Sequence, residues 1–151
     1  MLLIADGAVL LLHGVDPGAP DAGSWWITPG GGAAAGEPLE VAAAREVFEE
    51  TGLALEPSDL GPVVATRVAQ FVFEGRTYRQ SESFFAVRVP HFEPVADGWE
   101  EAEVRSLLEQ RWWTVDELAH TDAVVYPKEL PALVRTVADG PPDEPIELSG
   151  E

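Results

Sequence analysis

The apolar positions of this chain change period along its length, and the changes mark its elements. The opening "LLIADGAVLLL" (Leu2 to Leu12) is two apolar runs around Asp6-Gly7, which predicts a β-hairpin. "HGVDPGAPDAGS" (His13 to Ser24) carries the Pro, Gly and Asp content of a loop. "WWIT" (Trp25 to Thr28) predicts a short strand, stopped by Pro29 and the glycines that follow. From Pro38 to Thr51 the pattern is helical, with Pro38 in the first turn and Gly52 at the C-terminal stop. "PVVATRVAQFVFEGRTYRQSESFFAVRV" (Pro62 to Val89) is rich in Val, Phe and Tyr and predicts strands that turn at Glu74-Gly75. Gly98 to Gln110 reads as an acidic loop with a helical turn or two, and "RWW" (Arg111 to Trp113) as a strand. Thr114-Val115-Asp116-Glu117 forms a capping box ahead of a short helix. Leu130, Leu133, Val134 and Val137 sit at the spacing of a last amphipathic helix. The closing "GPPDEPIELSGE" (Gly140 to Glu151) reads as a flexible acidic tail. Strands, helix, strands, helix is the order of an α/β (α+β) fold, a mixed β-sheet sandwiched between α-helices. Residues 1–139 form one domain, with 140–151 as its tail.

Composition narrows the chemistry. The chain has 151 residues and is 46% hydrophobic, enough for one domain with a real core. There is no cysteine, so disulfides and thiolate metal sites are excluded. His13, His91 and His120 lie far apart in sequence, so nothing in their spacing marks a zinc site. A net charge of −18 opposes binding to nucleic-acid polymers, which need a basic face. The apolar start lacks a basic lead-in and a cleavage site and is too short to span a bilayer. The expectation is a soluble, cytoplasmic protein with no membrane partner. An anionic substrate of so acidic a chain calls for a local positive charge, which a divalent cation supplies.

The chemistry concentrates in "GGGAAAGEPLEVAAAREVFEETGL", Gly30 to Leu53. On a helix of 3.6 residues per turn, Glu46, Glu49 and Glu50 fall within an arc of roughly 100°. Val41, Ala44 and Phe48 fall opposite and are expected to face the core. Like charges at this spacing repel and destabilise a helix. A helix that holds Mg²⁺ or Mn²⁺ needs them, because hard cations take oxygen ligands. Arg45 is placed to orient Glu49, and Glu37 to pair with Arg45 if the loop folds back. The preceding glycines let backbone approach a ligand closely.

Gly31, Glu37, Arg45-Glu46-Val47, Glu49-Glu50 and Gly52-Leu53 fit the Nudix box, G-x5-E-x7-R-E-U-x-E-E-x-G-U with U apolar, at every fixed position. The chain thus resembles the Nudix hydrolases. "WWITPGGG" before the box and "RWWTVDEL" late in the chain are similar to the family's flanking segments, so the resemblance covers about Met1 to Ala138. It implies a metal-dependent pyrophosphohydrolase that acts on a small-molecule nucleoside diphosphate linked to another group. By residue match, Glu46, Glu49 and Glu50 are implied metal ligands, and Gly30 offers a backbone carbonyl to the metal. Arg45, Glu37, Gly31 and Gly52 are implied to keep the loop–helix–loop in shape. Any of the three helix carboxylates could assist as general base. A later carboxylate often completes the site in the family. The candidates here are Glu93, Glu100, Glu101 and Glu103, with Glu103 preferred because it lies shortly before "RWW"; the alternative for the whole run is a solvated acidic face. Trp25, Trp26, Trp112 and Trp113 read first as strand packing, and Arg67, Arg76, Arg79 and Arg88 as solvated or paired cations.

Two further readings share the fold. A non-catalytic nucleotide-binding module or regulator commonly loses box carboxylates, which this chain keeps. Isoprenyl diphosphate isomerase chemistry usually needs a reactive cysteine, which it lacks. Nothing outside the box selects one substrate, and although dimers are common in the family, nothing in the sequence fixes the oligomeric state.

Overall fold

A computed structural model describes residues 1–150. The hairpin at the start is β1 (Leu2–Ala5) and β2 (Ala8–Val15). Asp6 and Gly7 both take positive φ, 50° and 76°, as a two-residue turn between right-twisted strands requires. β2 runs past His13, so the expected loop starts later than its composition suggested. β3 (Ser24–Ile27) pairs antiparallel with β2, and β7 (Leu107–Thr114) runs antiparallel along β2 with His13 opposite Glu109. Residues of β2 that pair with β7 also pair with β1 or β3, so those two strands share the other edge of β2. Two parallel neighbours complete the mixed sheet: β6 (Ala86–Arg88) beside β1 and β8 (Val124–Tyr126) beside β3.

Each face of the sheet has its own cover. Leu2, Ile4, Val9, Leu11, Trp26 and Trp113 pack with α3 (Val115–His120) and α4 (Leu130–Val137). The capping box is present: the Thr114 hydroxyl accepts from Glu117 N–H at 3.2 Å, and Glu117 accepts from Thr114 N–H at 2.8 Å. Met1, Leu3 and Leu10 on the other face pack with Ala44 and Val47 of α1 (Leu39–Thr51). The chain is therefore a mixed α/β protein whose sheet lies between helices.

Two further expectations need correction. α1 is rotated from the predicted phase: Ala44 is buried, but Val41 and Phe48 are exposed. Ala42, Ala44, Val47 and Thr51 face inward instead, because small side chains let the helix lie close to the sheet. The acidic stretch before "RWW" does carry the expected helical turn or two, as α2 (Glu101–Ser106), and the strand that follows directly is eight residues long. The C-terminal stretch is not a loose tail. β9 (Ile146–Glu147) pairs parallel with β4 (Ala65–Phe73), and Leu148 is buried in the core. β4 and β5 (Arg76–Phe84) form the hairpin expected around Glu74-Gly75. The buried Asp16 carboxylate accepts the Glu74 N–H and ties the tip of that hairpin to the end of β2.

Candidate metal centre

α1 brings the carboxylates to the site and its C-cap fixes where they end. Gly52 takes the left-handed conformation, φ 79°, and its N–H closes on Phe48 O at 2.9 Å. The rotation that exposes Phe48 turns Glu50 inward, where its residue is only 5% exposed. Glu46, one turn earlier, keeps 12% of its side chain exposed. Across from them α2 presents Glu103. One oxygen from each of Glu46, Glu50 and Glu103 lies within 4.8 Å of the other two. The three expected box carboxylates are thus split. Glu46 and Glu50 join Glu103, while Glu49 lines the adjoining cleft with 33% of its side chain exposed. That cleft, about 440 Å³, is also lined by Gly32, Arg45 and Glu100. Glu93 and Glu101 are exposed and stand outside the three-oxygen group.

Arg45 holds the loop before the helix in its fold. Its guanidinium donates through Nε to Glu37 Oε1 (3.0 Å) and through Nη2 to Glu37 Oε2 (3.1 Å) and Gly32 O (3.0 Å). Nη1 donates to Glu46 Oε1 at 2.8 Å and Glu49 Oε2 at 3.3 Å. Glu37 also accepts the Ala34 N–H at 2.8 Å, and the Arg45 bond, then this one, holds its carboxyl below the usual carboxylate range. Gly31 supplies room: a Cβ there would overlap the Glu46 carboxyl group.

Burial dominates the electrostatics. Desolvation pushes the Glu50 carboxyl up to about 8; the Gly30 N–H, donating to Glu50 Oε2 at 2.7 Å, opposes this only partly, and Glu103 and Glu46 add repulsion. Burial also raises Glu46, against the pull of Arg45. Three carboxylates crowded beside one guanidinium are short of positive charge. A hard divalent cation fits this donor set: metal–oxygen distances of about 2.0–2.6 Å place ligand oxygens on one ion roughly 3–5 Å apart, the separation found here.

The histidines do not gather. His13 contacts Ser24 Oγ (2.8 Å) and Glu109 Oε1 (3.2 Å) and stacks on Trp26, His91 lies beside Trp112, and His120 bonds Asp116 O. Arg67 pairs with Glu82 at 2.7 Å, while Arg79 is exposed on β5 and does not line the cleft. Trp26 and Trp113 are core residues in edge-to-face contact, and Trp112 packs on the opposite face. Sequence reasoning passed over Trp99, whose indole N–H donates to Glu50 O at 2.8 Å. An isolated tryptophan in the acidic "GWEE" was the available signal.

Residues 1–133 match the NUDIX domain family. No curated protein matches the chain by sequence. Among solved structures, a MutT NUDIX hydrolase from Burkholderia pseudomallei is 23% identical, covering 90% of this chain and 92% of its own, with a TM-score of 0.62. A UDP-X diphosphatase is 16% identical over 97% of this chain and 63% of its own, with a TM-score of 0.58. An Ap4A hydrolase from C. elegans is 18% identical over 87% of this chain and 84% of its own, with a TM-score of 0.50. At these identities the likeness is one of fold.

Proposed function

The chain belongs to the Nudix hydrolase family, and from that premise we propose that it hydrolyses the diphosphate linkage of a small nucleoside diphosphate derivative with the help of Mg²⁺ or Mn²⁺. The observation that carries this is the meeting of Glu46, Glu50 and Glu103, with oxygens within 4.8 Å of one another, beside a cleft that Glu46 and Glu103 also line. These three hold the cation, Glu49 contributes from the cleft wall, and the Gly30 carbonyl is a further donor. When bound there, the cation offsets charge on the phosphate oxygens and lowers the pKa of a coordinated water.

The chain's own groups do the positioning. Arg45 and Glu37 keep the Gly31–Glu37 loop folded over the helix, so the cleft is shaped before substrate arrives. Glu49 Oε2 is engaged by Arg45, which leaves Oε1 to accept a proton from the attacking water. Water oxygen bonds to phosphorus, the bridging P–O bond breaks, and two phosphate-bearing products leave. The MutT, UDP-X diphosphatase and Ap4A hydrolase structures support a phosphoric-anhydride substrate. The acidic surface supports a small molecule over a nucleic-acid polymer.

The test is a panel of nucleotide sugars, ADP-ribose, dinucleoside polyphosphates and nucleoside triphosphates, with Mg²⁺, with Mn²⁺ and in excess chelator. Mass spectrometry in ¹⁸O-labelled water identifies the bond broken. The proposal expects cation-dependent cleavage with one ¹⁸O in one phosphate product. Cleavage undiminished in chelator, or no cleavage of any diphosphate, contradicts it.

A further inference from the structure

The C-terminal turn of α1 is capped by a distant piece of chain. The last carbonyls of a helix have no partner within it. Here Thr51 O accepts the Val95 N–H at 3.0 Å, and Glu50 O accepts the Trp99 indole N–H at 2.8 Å. Between them the strap turns on itself, Trp99 N–H donating to Ala96 O at 3.1 Å. Gly98 lies so close to the helix that a Cβ would overlap Glu49 O and stand 3.0 Å from Glu49 Cα. Gln110 Nε2 holds Val95 O from the sheet side at 3.2 Å.

The same strap runs straight into the third carboxylate. Glu100 follows Trp99 and donates its N–H to Glu103 Oε2 at 2.7 Å, closing the first turn of α2. Glu50 and Glu103 are 53 positions apart in sequence, yet only Trp99, Glu100 and one hydrogen-bonded turn separate the Glu50 carbonyl from the Glu103 carboxylate.

We propose that Trp99 is a positioning residue: its indole N–H, locked to the Glu50 carbonyl over Gly98, sets the spacing between the Glu50 and Glu103 carboxylates and hence the affinity of the site for its divalent cation. The inference rests on the proposed function, since it needs those carboxylates to hold the ion. A cap that only stabilised the helix would change melting and leave cation affinity alone. Groups that orient metal ligands typically contribute 10–100-fold in affinity.

The probe is Mn²⁺ alone, titrated into the full chain and followed by the electron paramagnetic resonance of the free ion. Trp99→Phe keeps the ring and removes the donor, and Mn²⁺ should bind about 10–100-fold more weakly. Gly98→Ala, which wedges the strap off Glu49 by a different route, should do the same. Trp112→Phe is the control. It removes the 3.0 Å bond to Phe92 O at the far end of the strap and should leave Mn²⁺ affinity within about threefold. In turnover assays Trp99→Phe should regain its kcat at saturating Mn²⁺ with substrate KM unchanged. Parental affinity in both Trp99→Phe and Gly98→Ala, or equal losses in Trp99→Phe and Trp112→Phe, overturns the positioning role. Glu50→Gln separates the two levels: if it too binds Mn²⁺ like the parent, the metal-site reading has failed; if it alone loses binding, only the role of Trp99 has.

Discussion

Gly30 and Glu50 are joined by a single backbone hydrogen bond, N–H to Oε2 at 2.7 Å, and it is too little to keep so buried a carboxylate ionised. The bond ties the glycine entry to the helix and leaves Glu50 titrating near pH 8 when no cation is bound.

A pH signature follows. The folded state holds a proton on Glu50 between the unfolded value of about 4.5 and the folded value of about 8, whereas the unfolded chain has released it. Stability in chelator therefore falls as pH rises through that window and levels off above it. The raised Glu46 carboxyl acts in the same direction. Melting in chelator at pH 5, 6, 7 and 8 should show the decline, and Glu50→Gln should flatten it. An unchanged slope in Glu50→Gln would show that general acidic repulsion, not this group, sets it. Mg²⁺ should raise Tm more at pH 8 than at pH 6, since less proton must be displaced.

Gly31→Ala tests the cradle. The added methyl group overlaps the Glu46 carboxyl and pushes it off the ion. Mn²⁺ affinity should drop by about tenfold or more, as when a ligand loses its orientation. Calorimetric titration giving parental affinity would mean that Glu46 is free to move without consequence.

Arg45→Lys keeps the charge and loses the fork that spans Glu37, Gly32, Glu46 and Glu49. The network is partly exposed, so the stability cost should be modest, about 1 kcal/mol. Turnover should fall at least tenfold, because the loop over the cleft loses its anchor. Amide hydrogen exchange of residues 31–37 should speed up in the variant. Parental exchange rates there would assign the loop's order to something else.

How much was legible follows from which physics a sequence displays. The box spacing placed Glu46, Glu49 and Glu50 on one helix, since that depends on local periodicity, whereas the pairing of Arg45 with Glu37 waited on the loop folding back. Glu103 could be preferred only from its distance to "RWW", and its partners come from across the fold. The rotation of α1 was misjudged because hydrophobicity was weighed without size. Val41 and Phe48 are the more apolar, but Ala42 and Ala44 allow the close approach. The C-terminal stretch hid Ile146 and Leu148 among prolines and acids. Strand addition to β4 is a non-local pairing that no local pattern announces.

That last correction carries its own prediction. Deleting residues 144–151 removes β9, the burial of Leu148 and the bond from Ser149 N–H to Glu129 Oε1 at 2.9 Å. Losing one buried leucine side chain and a pair of sheet bonds should cost about 2–4 kcal/mol. Urea melts of the parent and the truncated chain measure it. An unchanged midpoint would show that the stretch does not dock in solution.

The central claim is that Glu46, Glu50 and Glu103 together hold the catalytic cation. Anomalous diffraction from a crystal soaked in Mn²⁺ tests it most directly. The account predicts a peak between Glu46, Glu50 and Glu103, with an oxygen at about 2.0–2.6 Å that belongs to each carboxylate or to a water hydrogen-bonded to it. A peak elsewhere on the acidic surface, or none between these three residues at a concentration that supports turnover, contradicts it.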